Sequence, residues 1–69
     1  MNNDKDKTIS LRELAVVKHY ALGKTYGEIG DLLFISAATV RTHLDNVRRK
    51  CCRKPMRTVI YWFAKARVI

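Results

Sequence analysis

Residues 25–50 read TYGEIGDLLFISAATVRTHLDNVRRK, and the reading of this stretch decides the fold. Thr25 followed three residues later by Glu28 is a capping box, the reciprocal side-chain and backbone pairing that starts a helix. Ile29, Leu32 and Leu33 then repeat at three-to-four spacing, predicting a buried stripe on a helix over about 26–33. Gly27 and Gly30 each cost that helix about 1 kcal/mol relative to alanine, so a close helix–helix approach is expected to offset them. After the short connection Leu33-Phe34-Ile35, Ser36 is placed to cap a second helix over about 37–51. Val40, Leu44, Val47 and Cys51 recur at intervals of four, three and four, a single apolar stripe. Polar and basic residues occupy the other faces. Two helices across a tight connection, the second amphipathic and basic, make a helix-turn-helix.

Outward from this pair, two more helices are expected. Upstream, Ser10 and Glu13 form another capping box, and Ile9 is placed to staple against Leu14. The helix runs over about 11–21, with Leu14, Val17 and Ala21 on its apolar face, Leu11 and Val16 widening it, and Gly23 closing it. His19 lies in this helix with no second ligand at metal spacing and reads as structural. Downstream, Lys54-Pro55 breaks the chain, and a last helix is expected over about 55–66. Its main stripe is Met56, Val59, Ile60 and Phe63. Tyr61 and Trp62 fall off that stripe, which suggests contact with a like helix of a partner chain. The plainer alternative is that Trp62 covers the open side of a thin core. Residues 1–8, MNNDKDKT, read as a flexible lead-in or linker remnant. The fold class is therefore all-α, one four-helix domain over residues 9–69.

Sixty-nine residues allow one domain, burying only about 60% of its unfolded surface. An apolar content of 48% suits a compact fold. No run approaches the roughly 18 apolar residues of a membrane span and no signal-peptide pattern opens the chain, so a cytoplasmic protein is expected, without membrane contact. The net charge is +8, with residues 1–34 carrying five basic and five acidic side chains and residues 35–69 nine against one. A field confined to one half favours a polyanionic partner, nucleic acid first. Cys51 and Cys52 are adjacent, too close for an unstrained disulfide and without zinc-ligand spacing, and read as free thiols. No nucleophile–base pair is evident, so neither an enzyme nor any metal or cofactor is expected.

Specific residues carry a resemblance. Ile9, Ser10, Leu11, Arg12 and Glu13 echo a Leu-Thr-x-Arg-Glu opening; Gly23, Lys24, Thr25, Glu28 and Ile29 echo a Gly-Lys-Thr…Glu-Ile run. Ile35, Ser36, Thr39, Val40, Arg41 and His43 fit Ile-Ser-x-x-Thr-Val-Lys/Arg-x-His, with Asn46 and Lys50 following in register. Over residues 9–69 the chain resembles the DNA-binding domain of the LuxR/GerE transcription regulators, its variants looking most like the quorum-sensing branch. It departs from that pattern at Phe34, where glycine is usual, at Ala37-Ala38, often polar, and at Cys51, Met56 and Arg67.

The resemblance implies a bacterial transcription regulator that binds double-stranded DNA, helix 37–51 in the major groove, as a dimer on a two-fold site. Arg41 is the best base reader, because guanidinium pairs bidentately with guanine. Thr42, Asp45 and Ala38 are its expected neighbours, although Asp45 could instead orient Arg41 or Arg49. Phosphate contacts are expected from Lys24, Thr25, Thr39, His43, Arg48 and Lys50. Dimerisation is assigned to Val59, Tyr61, Trp62 and Lys65. No small-molecule ligand is expected. The rival reading is a stand-alone helix-turn-helix that heterodimerises with a full-length related regulator and inhibits it.

Overall fold

A computed structural model describes residues 8–66, and within them four helices follow in order: α1 Leu11–Ala21, α2 Tyr26–Leu33, α3 Ala37–Lys50 and α4 Met56–Lys65. The terminal Arg67-Val68-Ile69 and most of the lead-in lie outside the described residues. Local chemistry sets three of the four starts. The Ser10 Oγ accepts the Glu13 N–H at 3.0 Å while Glu13 Oε1 accepts the Ser10 N–H at 2.9 Å. Thr25 and Glu28 repeat the exchange at 3.1 and 2.8 Å, and Ser36 Oγ accepts the Thr39 N–H at 3.0 Å. These side chains satisfy first-turn donors that the helix itself leaves unpaired. α4 has no side-chain cap; the extended Pro55 precedes it, so the helix starts at Met56, one residue later than its sequence suggests, and ends at Lys65, one residue earlier. Cys51 likewise leaves helical geometry and caps α3.

The core consists of Val16, Val17, Ile29, Val40, Leu44, Val47 and Val59, at most 2% exposed. Ile9, Tyr20, Leu33, Ile35, Cys51, Met56, Ile60 and Phe63 pack around it. The α3 stripe is as its spacing predicts. The stripe of α1 is so only in part: Val16 and Val17 are buried as expected, but Leu11 and Ala21 are exposed and Glu13 joins the buried face. Lys50, at the end of α3, places its ammonium 2.8 Å from Glu13 Oε1 and 3.0 Å from the Thr8 carbonyl, so the charged position on that face is paired. Leu32 of α2 is also half-exposed, leaving Ile29 and Gly30 as that helix's buried residues.

The two α2 glycines differ. A Cβ on Gly30 would lie 2.5 Å from the Ile35 carbonyl oxygen, so α2 meets the backbone of the turn at a separation only glycine allows. A Cβ on Gly27 would meet open space apart from Thr25 Oγ1 at 4.0 Å. The close approach is therefore to the turn, and it accounts for one glycine only. Phe34 closes α2 in the left-handed region, φ 61° and ψ 42°, while the Ile35 N–H bonds back to the Gly30 carbonyl at 2.9 Å. A bend that usually recruits glycine is thus made by phenylalanine, at a cost of about 1–2 kcal/mol.

Candidate nucleic-acid interface

With Val40, Leu44 and Val47 buried, helical geometry directs Ala38, Thr42, Asp45 and Arg49 along the opposite edge of α3. Ala37, Ala38, Arg41, Thr42, Asp45 and Arg49 are all exposed, whereas Thr39, His43, Asn46 and Arg48 are half-buried on the flanks. The four expected base readers thus share one solvent-facing side. Arg41 makes no hydrogen bond or ion pair with the described residues, which leaves its five donors available. Thr42 Oγ1 donates to the Ala38 carbonyl at 3.1 Å, which engages its hydroxyl with its own helix. Asp45 orients neither Arg41 nor Arg49. Its carboxylate lies 4.0 Å from Arg48, one turn on, while Arg49 donates to Asn46 Oδ1 at 2.8 Å.

The expected phosphate contacts divide. Lys24 and Thr25 stand at the first turn of α2, where backbone N–H groups and the helix dipole favour an anion. Glu28, in the same turn, is held below the usual carboxylate range, chiefly by the backbone N–H of Thr25. Thr39 shares a hydrogen bond with Ser36 Oγ at 2.9 Å, at the leading end of α3. Lys50 is different: with its ammonium on Glu13 and Thr8 and its side chain only 19% exposed, it ties α3 to α1. Burial pushes the Glu13 carboxyl up, but the hydrogen bond from Lys50 and those at Ser10 outweigh it, and the net shift is downward. The ion pair is built into the scaffold.

On α4, Tyr61 and Trp62 are 59% and 42% exposed, and the Lys65 ammonium lies 6.0 Å from the Tyr61 ring centroid. Val59, expected at a dimer contact, is instead fully buried in the core and presents no surface. Being one helical turn from Phe63, it belongs to the inward stripe of α4.

Sequence reading named Arg49 only as a possible partner of Asp45 and did not single out Arg53. The former lies on the outward edge of α3; Arg53 is brought beside it by two consecutive left-handed residues, Cys52 at φ 63° and Arg53 at φ 58°. The first is visible in helical periodicity, the second only in the turn. Burial, followed by the neighbouring Cys52 thiol, pushes the Cys51 thiol up, and Cys51 packs as a small apolar side chain. His19 Nδ1 is buried without a partner among the described residues, and nothing in the structure explains it. Among those residues no three His, Cys, Asp or Glu side chains converge as a metal site, and no helix is long and apolar enough to cross a membrane.

The model of the luxR family of bacterial regulatory proteins, GerE, matches residues 7–54. The chain is similar to the transcriptional regulatory protein LiaR of Bacillus subtilis, 43% identical over 44 residues that make up 64% of this chain and 21% of that protein. It is likewise similar to the transcriptional activator protein EsaR of Pantoea stewartii, 46% identical over 48 residues, 68% of this chain and 19% of that one. The matches thus span about a fifth of the length of these relatives. No solved structure matches significantly.

Proposed function

This chain belongs to the luxR family of bacterial regulatory proteins, and from that premise we propose that it regulates transcription by reading a DNA sequence with α3 in the major groove. The observation that carries the reading is the outward side of α3. Its base-reading candidates Ala38, Arg41, Thr42 and Asp45 are exposed together, in the half of the chain that holds the entire net charge. Arg41 supplies the bidentate donor for guanine, and Ala38 with the Thr42 methyl offers apolar contact to a thymine methyl. Lys24, Thr25, Thr39, His43 and Arg48 set the register through phosphates. Lys50 serves the scaffold instead. Two copies associate through Tyr61, Trp62 and Lys65 on a two-fold site, so dimerisation accompanies DNA binding.

Selection of bound duplexes from a random library, then titration of the selected site with the parent chain and Arg41→Ala, tests this. A two-fold-related site on which Arg41→Ala loses about 1–3 kcal/mol supports sequence reading. Equal weak binding to every duplex, unaltered in preference by Arg41→Ala, refutes it.

One observation favours a second reading, a stand-alone helix-turn-helix that pairs with a full-length regulator and inhibits it. Tyr61 and Trp62 expose aromatic surface on α4, while Ala37 and Ala38 leave few reading groups at the start of α3. A tight heterocomplex with only salt-sensitive, sequence-blind DNA binding is the result that this reading requires.

A further inference from the structure

We propose that Arg48, Arg49 and Arg53 form a site for two adjacent phosphate groups at the C-terminal end of α3. With Asp45 these residues line one concavity, so three guanidiniums face a single carboxylate. The local balance is two positive charges, which two phosphodiesters would neutralise and a more highly charged free diphosphate would more than offset. Each α3 arginine makes one hydrogen bond, Arg48 lies in addition 4.0 Å from the Asp45 carboxylate, and both keep donors to spare. Arg48 Nε donates to the Lys54 carbonyl at 3.2 Å, and Arg49 donates through one terminal nitrogen to Asn46 Oδ1. Such anchoring reduces the ordering that a ligand must impose, and guanidinium forks suit phosphate oxygens.

The helix dipole would account for cations in the last turn of α3, where Arg48 and Arg49 lie. It does not account for Arg53, which stands beyond the helix. That residue is carried into the concavity by two successive left-handed non-glycine residues and a 2.6 Å bond from its N–H to the Arg48 carbonyl. An uncommon backbone that converges three like charges on one hollow points to an anion that separates them.

Arg49 and Asp45 also continue the outward edge of Ala38 and Thr42, so one source of paired phosphates is the backbone of bound DNA. That source rests on the proposed function; a free diphosphate group is the other. Two measurements on the full chain separate them, each with Arg49→Gln and with Arg53→Asn, the latter chosen because asparagine tolerates the left-handed region. In the first, inorganic pyrophosphate is titrated at constant ionic strength against sulfate while backbone amide resonances are followed. Saturable shifts over residues 48–54, weakened at least fivefold by either variant, are expected. In the second, duplex affinity is measured against salt, and each variant is expected to reduce the slope by about 1 without changing sequence preference.

Both responses together assign the site to DNA phosphates. The pyrophosphate response with an unchanged slope, or with no DNA binding by the parent chain, supports a free diphosphate ligand; in the latter case the DNA-reading function fails while the site stands. Pyrophosphate no stronger than sulfate, or shifts indifferent to both variants, overturns the proposal even if the salt slope changes, since scattered single contacts would then suffice.

Discussion

The three-helix unit α1–α3 and the last helix α4 are built to different standards of closure. Six of the seven core residues belong to the former, whereas α4 contributes Val59 alone. The unit is also crossed by polar ties, Lys50 to Glu13 and the Arg12 guanidinium to the Leu33 carbonyl at 3.1 Å. α4 starts without a side-chain cap and leaves Tyr61 and Trp62 exposed. The matched family stretch, residues 7–54, ends just before it. A helix that shares so little of the core gains less from packing against the rest of the chain. Variants in the two regions should therefore fail in different ways.

The largest effect is expected for Leu44→Ala, which removes the α3 side chain at the centre of the core. A loss of about 3 kcal/mol in urea unfolding is expected, a large share of what so small a domain possesses. Trp62→Ala, by contrast, should change monomer stability by less than about 1 kcal/mol. Equal losses would show that α4 is as much a part of the core as α3, and would erase the contrast.

Gly30→Ala should follow, destabilising by roughly 2–3 kcal/mol because the new methyl meets turn backbone that cannot retreat. Its counterpart Gly27→Ala should gain about 0.5–1 kcal/mol, having helix propensity to win and open space to occupy. Thermal melts of the pair make a sharp test of the close approach between α2 and the turn. A stabilising Gly30→Ala would mean the turn yields.

A smaller effect concerns the tie between α1 and α3. Since the folded-state pKa of Glu13 is depressed, its contribution is complete above the ordinary glutamate range and is lost as pH falls through the folded value. Glu13→Gln should cost about 1–2 kcal/mol at neutral pH, scaled down from a fully buried pair because Lys50 keeps some solvent contact. The gap from the parent should close on acidification below that range. Unfolding curves across pH check this, and a gap independent of pH would reduce the pair to a packing contact.

Much of the architecture is legible in the chain because its signals are local. Ser10, Thr25 and Ser36 name three helix starts through hydrogen bonds that span only three residues. Val40, Leu44 and Val47 name the inward side of α3, and thereby place Ala38, Arg41, Thr42 and Asp45 outside. Misplaced residues are those whose environment is made by distant partners. Leu11 reads as core by hydropathy, yet it is exposed while Glu13 is buried against Lys50, 37 residues away. Val59 reads both as part of the main stripe of α4 and as interface, and its full burial fits only the first.

What the sequence determines by itself is therefore the number of helices, their order and limits, the charge asymmetry and the outward edge of α3, because caps and periodicity act within a few residues. Tertiary structure alone decides which charged side chains are withdrawn from solvent, why Gly30 and not Gly27 is required, and how Phe34, Cys52 and Arg53 hold left-handed turns. The first joins atoms from different helices, and the others rest on backbone contacts within the turns, between residues about five apart, that neither caps nor periodicity encode.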